Sequence, residues 1–271
     1  MTRQLILTKH HGLGNDFLVA FDPGVDDPAA LARALCDRRR GIGADGLLIG
    51  ESAEGYDARM VLYNADGSRA EMSGNGIRCF AQAMAMLRGN HDEQRILTDA
   101  GERLVALTPT EHRDLVLASV DMGEVVEITA PADWAALQCD PMRPVSHLSL
   151  GNPHSVVGVD EVAAVELLAL GAIVPYVNLE IIEPGPEPYG ITMRVHERGA
   201  GITEACGTGA CAGAWAAHRW GFVGNEVQEI VVHMDGGDAT VRLHHPSAGR
   251  VTLVGPAQFV GSITVDLDRT E

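Results

Sequence analysis

Glu71-Met72-Ser73-Gly74-Asn75-Gly76 and Glu204-Ala205-Cys206-Gly207-Thr208-Gly209 are two copies of one pattern, Glu-x-[Ser/Cys]-Gly-x-Gly. Each opens an apolar run of helical length. Residues 77–88 stop at Gly89-Asn90 and residues 210–220 stop at Gly221, glycine being the usual residue just past a helix end. Both runs are apolar nearly all the way round, and a helix without a polar face is one surrounded by protein. The flanking segments are short, β-branched and separated by Gly, Pro and Asp turns. Gln4-Leu5-Ile6-Leu7-Thr8, Met60-Val61-Leu62-Tyr63, Ile191-Thr192-Met193-Arg194-Val195 and Ile230-Val231-Val232-His233 are typical. One buried helix among many strands, twice over, predicts an α/β (α+β) chain of two pseudo-twofold-related domains. Each half reads as a curved sheet wrapped around one buried helix. Two shorter helices are predicted, from Pro28 to about Cys36 and from Val162 to about Leu170, and the Pro-rich stretch 183–188 reads as a loop.

The duplication reaches beyond the helices. Gly14-Asn15-Asp16-Phe17 is echoed by Gly151-Asn152-Pro153-His154, and Asn64 stands nine residues before Ser73 as Glu197 stands nine before Cys206. Equivalent polar positions in both halves predict a ligand in the cleft between them. A helix start supplies unpaired N–H groups and a positive dipole end, which bind a carboxylate and lower the pKa of a thiol placed there. Gly207-Thr208-Gly209 reads as a run of bare amides facing that ligand.

Composition narrows the function. With 20 Lys+Arg against 37 Asp+Glu, a net charge of −17, the chain has no basic surface for phosphates, so a nucleic-acid partner is not expected. The short apolar run Leu5-Ile6-Leu7 is no signal peptide, and nowhere do about 18 apolar residues run together, so no membrane association and a cytoplasmic location are expected. The five cysteines are odd in number and lack paired CxxC spacing, so reduced thiols and no metal site are expected. Cys79 and Cys211, deeper in the two helices, read as packing. Gly41-Ile42-Gly43-Ala44-Asp45-Gly46 matches a dinucleotide fingerprint, yet a helix precedes it and a strand follows, the reverse of the required order. Glu197-Arg198 is a surface pair or a ligand contact, and His154 a structural or a functional histidine, on these residues alone.

Six spaced motifs resemble one family in order along the chain. They are His11-Gly12-Leu13-Gly14-Asn15-Asp16-Phe17, Arg40 to Gly46, Asn64-Ala65-Asp66-Gly67-Ser68, Gly74-Asn75-Gly76-Ile77-Arg78-Cys79, Gly151-Asn152-Pro153-His154, and Glu197-Arg198-Gly199 with Ala205 to Ala212. Together they resemble diaminopimelate epimerase. The resemblance implies a cofactor-independent isomerase that interconverts LL- and meso-diaminopimelate, on the route to lysine and peptidoglycan, and a homodimer. It implies two similar domains, each a mixed sheet or barrel wrapped around a central helix, with the last strand, near residues 263–267, returning to the first. The domains are therefore expected at 1–117 plus 259–271 and at 118–258. By the same resemblance residue 73 and Cys206 are the acid–base pair, with His154 and Glu197 beside it. Asn15, Asn64, Asn152, Asn178, Glu197 and Arg198 are implied to hold the amino groups and distal carboxylate. The amides around Gly74 and Asn75 and around Gly207 and Thr208 are implied to hold the reacting carboxylate.

Residue 73 departs from the family, which has cysteine where this chain has Ser73. A hydroxyl is far less acidic than a thiol of pKa about 8.5, so Ser73 is a poor base. An introduced Cys-to-Ser change, a natural homologue with altered chemistry and a degenerate enzyme are three readings of that departure. A proline racemase or hydroxyproline epimerase type of isomerase, and a non-catalytic binding protein for an amino-acid dicarboxylate, are the rival functions.

Overall fold

The computed structural model describes residues 4–244 and 249–267. In chain order the elements are β1 (Gln4–Gly12), β2 (Asn15–Phe21), α1 (Pro28–Cys36), β3 (Gly46–Glu51), β4 (Ala58–Asn64), β5 (Arg69–Ala70), α2 (Gly74–Arg88), β6 (Gln94–Thr98), β7 (Gly101–Pro109) and β8 (Leu115–Glu124). There follow β9 (Val126–Glu127), β10 (Val145–Ser149), β11 (Pro153–Gly158), α3 (Leu167–Gly171), β12 (Asn178–Pro184), β13 (Gly190–Glu197), β14 (Gly201–Thr203), α4 (Gly207–Trp220), β15 (Glu229–Met234), β16 (Gly237–His244) and β17 (Arg250–Asp266). Backbone contacts divide the chain into one unit of Met1–Val120 with Gly255–Glu271 and another of Asp121–Val254. The expected domain ends at 1–3 and 268–271, and residues 245–248, lie outside the described residues.

In the first unit β17, β1, β2, β3, β4, β6, β7 and β8 pair in that order, and β8 pairs with β17 to close the ring. Two neighbours run parallel, β2 with β3 and β4 with β6. A parallel pair needs a crossover, and α1 supplies the first while β5 and α2 supply the second. Helix α2 packs against β1, β2, β3, β4 and β7, with residues 74–85 buried throughout. Amphipathic α1 lays Leu31, Ala32, Leu35 and Cys36 on a second core with Leu7, Leu18, Leu47 and Val61. Strands β2 and β3 are covered on both faces, which is why Phe17-Leu18-Val19-Ala20 and Leu47-Leu48-Ile49 are unbroken apolar runs.

The second unit repeats this plan. Strands β9 to β13 and β15 to β17 pair in chain order, with β14 set against β13. The parallel pairs are β11 with β12, crossed by α3, and β13 with β15, crossed by β14 and α4. Helix α4 packs against β10, β11, β12, β13, β15 and β16, with residues 207–217 buried. Both central helices end as the sequence predicts, on Gly89 at φ 72° and Gly221 at φ 76°, a left-handed conformation that only glycine adopts without strain.

Two expectations need correction. The predicted helix from Val162 is instead a single 3-10 turn at Val162–Ala164, then extended Val165, then the short α3. Arg194 takes two carbonyls that a continuous helix would bond internally, while Glu183 serves an amide that a helix start leaves unpaired. Glu183 accepts from the Val162 amide at 2.7 Å, and the Arg194 guanidinium donates to the Val162 and Val165 carbonyls at 3.0 and 3.3 Å. The Pro-rich stretch begins as strand, because Glu183 and Pro184 still pair with Thr192 and Ile191 of β13. No helix among the described residues is long and apolar enough to cross a membrane.

His10 is fully buried against Phe259. Its Nδ1 meets Gln82 Oε1 at 2.8 Å, and its Nε2 has no partner. Burial lowers its pKa from 6.5 to about 4. Between those values the unfolded chain binds a proton that the folded chain refuses, so stability is full above pH 6.5 and falls as pH drops toward 4. At 1.36 kcal/mol per unit, acidification from pH 6.5 to 4 should cost about 3 kcal/mol through this residue. Urea unfolding from pH 7 to 4.5 should show that loss in the parent and a flatter profile in His10→Gln.

Candidate active site

Ser73 and Cys206 are the N-cap residues of α2 and α4, with nearly the same backbone geometry, φ −138° and ψ 124° against φ −128° and ψ 113°. Ser73 Oγ accepts from the Gly76 amide at 3.0 Å and Cys206 Sγ from the Gly209 amide at 3.3 Å. Each side chain thus does for its helix what an N-cap does, satisfying one orphan N–H of the first turn.

Around Ser73 the first unit gathers the polar residues that the sequence marks. Asn75 is buried at the head of α2, donates to Asn15 Oδ1 at 3.1 Å and accepts from Arg78 at 2.8 Å. Asn15 donates in turn to Asp45 at 2.7 Å, while the Asp45 carbonyl accepts from the amide of Ala65, next to Asn64. Asn64 donates to Ser68 Oγ at 3.0 Å. Arg78 was not singled out as functional, yet its guanidinium is wholly buried and also donates to the carbonyls of Gly74 and Pro256. It pins the start of α2 from behind.

The second unit does the same around Cys206, which is 4% exposed. Cys206 Sγ lies 3.5 Å from Thr208 Oγ1, and Asn152 Nδ2 donates to that hydroxyl at 3.2 Å. Asn152 Oδ1 meets His154 Nε2 at 3.0 Å, and His154 Nδ1 meets Glu180 at 2.6 Å. Asn178 sits level with His154 on the neighbouring strand, and its Oδ1 accepts from the Arg198 amide at 2.9 Å. Glu197, at the end of β13, accepts from Thr203 at 2.5 Å. Asn152, His154 and Thr208 thus join Cys206 in one hydrogen-bonded network, while Asn178 and Arg198 bond to each other and Glu197 to Thr203.

Sequence reading missed Glu180, the carboxylate on which the network ends. A signal was present, since Glu180 stands two residues after Asn178 in the apolar strand Asn178-Leu179-Glu180-Ile181-Ile182 and so shares a face with it. Glu180 is completely buried, and burial raises its pKa while His154 opposes the rise. It also explains a glycine otherwise read as an open amide. A Cβ on Gly209 would stand 2.8 Å from Glu180 Oε1 and 3.3 Å from Cys206 Sγ, so the carboxylate occupies the space a side chain would need.

The expected low thiol pKa at Cys206 is overturned. Burial pushes this thiol well above the usual value, and the carboxylates of Glu197 and Glu180 push the same way. The Thr208 hydroxyl and Gly209 amide pull it down and do not prevail. These effects favour the protonated thiol at neutral pH. Cys79 is buried within α2 and its thiol is pushed up to about 12, in keeping with packing.

The family model for diaminopimelate epimerase matches residues 7–128 and 147–260. Diaminopimelate epimerase 1 of a Nostoc species is 38% identical over 93% of this chain and 96% of its own length. The diaminopimelate epimerase of Halothermothrix orenii is 36% identical over 97% of this chain and 99% of its own. Among solved structures, a hydroxyproline epimerase from Agrobacterium vitis matches with TM-score 0.73 at 16% identity, covering 97% of this chain and 91% of that one. A PhzF-family phenazine biosynthesis protein of Bacillus anthracis matches with TM-score 0.72 at 17% identity, over 97% and 99%. Those two likenesses are of fold; the sequence matches reach further, and the chain belongs to the diaminopimelate epimerase family.

Proposed function

We propose that this protein interconverts LL- and meso-diaminopimelate without a cofactor, with Cys206 carrying the α-proton. The observation that supports this most is the setting of Cys206, a thiol at the head of a buried helix with hydroxyl, amide, imidazole and carboxylate groups arrayed behind it. An α-hydrogen beside a carboxylate and an ammonium is very weakly acidic, so its removal needs a positioned proton carrier and donors for the developing charge. Amides at Gly207 and Thr208, and at Gly74 and Asn75, suit the reacting carboxylate because helix starts attract anions. Asn15, Asn64, Asn152, Asn178 and Arg198 are assigned to the amino groups and distal carboxylate, with bidentate Arg198 suited to the latter. His154 and Glu197 sit beside the acid–base pair in this reading. Ser73, a poor base, holds the partner position and slows the reaction. The protein works in the cytoplasm as a homodimer.

Incubating the protein with LL-diaminopimelate in deuterated water tests the reading. Exchange with inversion is expected at a low rate. Exchange without inversion would mean a single working base, and binding without exchange would mean a dicarboxylate-binding protein. Turnover of proline or hydroxyproline instead would move the substrate assignment to the other isomerase type.

A further inference from the structure

The buried Glu180–His154 pair is joined to Cys206 through two hydrogen-bonded residues, Asn152 and Thr208. Both side chains are 0% exposed, and Glu180 Oε2 has no hydrogen-bond partner. A full carboxylate with one oxygen bare in such a place is costly, so the arrangement favours a hydrogen held between Oε1 and Nδ1 across 2.6 Å. The direction of every later bond then follows from donor and acceptor chemistry. His154 Nε2 carries hydrogen and donates to Asn152 Oδ1. The Asn152 amide nitrogen is thereby turned to Thr208 and donates to its hydroxyl. Having accepted that bond, Thr208 has its one hydrogen left to point at Cys206 Sγ.

We propose that Glu180 is a positioning residue that sets the hydrogen-bond direction of the His154–Asn152–Thr208 chain, so that the Thr208 hydroxyl donates to Cys206 and steadies its thiolate. This rests on the reading of Cys206 as the proton carrier, and it adds the residue that aims its donor. The titratable groups facing Glu180 are His154 from β11, Glu197 from β13 and Cys206 at the head of α4. The Glu180 charge by itself opposes thiolate formation, whereas the direction it sets through His154 brings a donor to the sulfur, so the two effects differ in sign and the thiol's reactivity tells them apart.

The rate of Cys206 alkylation by iodoacetamide, followed by peptide mass spectrometry from pH 7 to 10, reads thiolate formation without any substrate. Glu180→Leu leaves His154 Nδ1 without its partner, so Asn152 is free to turn over, and alkylation at pH 8 should slow about tenfold, one unit of thiol pKa. Glu180→Gln should stay within about threefold of the parent, because its amide nitrogen can donate to Nδ1 and keep the same direction. In a Thr208→Val background, already slowed, Glu180→Leu should slow alkylation no further, since the two act through one chain. His154→Phe removes the bond to Asn152 from the other side and carries the same expectation should Glu180→Leu fail to fold. Faster alkylation in Glu180→Leu, equal rates in all variants, or losses that multiply in the double variant would each overturn the proposal. The expected alkylation pattern without any diaminopimelate exchange would count against the substrate assignment and leave this inference standing.

Discussion

Cys206→Ala is expected to lower α-hydrogen exchange of diaminopimelate by about 10²–10⁴, the range that positioned acid–base groups supply, while calorimetry still detects ligand binding. The substitution removes the only thiol at either helix head and leaves the neighbouring Gly207 and Thr208 amides in place. The parent should also show a pH signature. Burial, with Glu197 and Glu180, pushes the thiol above its usual range, so the base form is scarce at neutral pH. Exchange that begins with abstraction by the Cys206 thiolate should therefore rise as pH increases past 7, and the Ala variant should lack that rise. Exchange unchanged by Cys206→Ala would remove this residue from the mechanism and leave His154 or Glu197 to serve.

Ser73→Cys is the converse change, and it should raise the epimerisation rate by about 10²–10⁴, because a group whose pKa lies near the working pH replaces one whose pKa lies far above it. The cap geometry suits the larger atom. Ser73 and Cys206 share one cap conformation, and a sulfur in the second unit accepts the same first-turn amide at 3.3 Å that oxygen accepts at 3.0 Å in the first. The helix should therefore keep its cap, with the gain appearing in kcat and little change in KM. A Ser form that already turns over as fast as the Cys form would show that a different base operates.

Much of this was legible locally. The heads of α2 and α4 are written in Glu-x-[Ser/Cys]-Gly-x-Gly and their ends in Gly89 and Gly221, because caps depend on a few consecutive residues and on which of them tolerates positive φ. The repeated spacing that pairs Asn64 with Glu197 corresponds to two strand ends, of β4 and β13, each leading through a short strand to the central helix. Where sequence reasoning failed, the deciding partner lay far along the chain. The helix expected from Val162 gives way where Arg194, on a strand that comes later, takes the Val162 and Val165 carbonyls.

The sequence by itself determined the repeat, the two capped helices and nearly all the polar residues around them, since each follows from signals a few residues wide. Tertiary structure alone decided the state of those groups. Glu180 becomes an end-stop for the network only because β11, β12 and α4 exclude water around it, and Arg78 a buried anchor only because Pro256 returns beside α2. The Cys206 thiol is the clearest case. Its place at a helix start predicts a lowered pKa, and burial with two carboxylates reverses the sign, because desolvation and charge depend on what the whole fold packs around a residue.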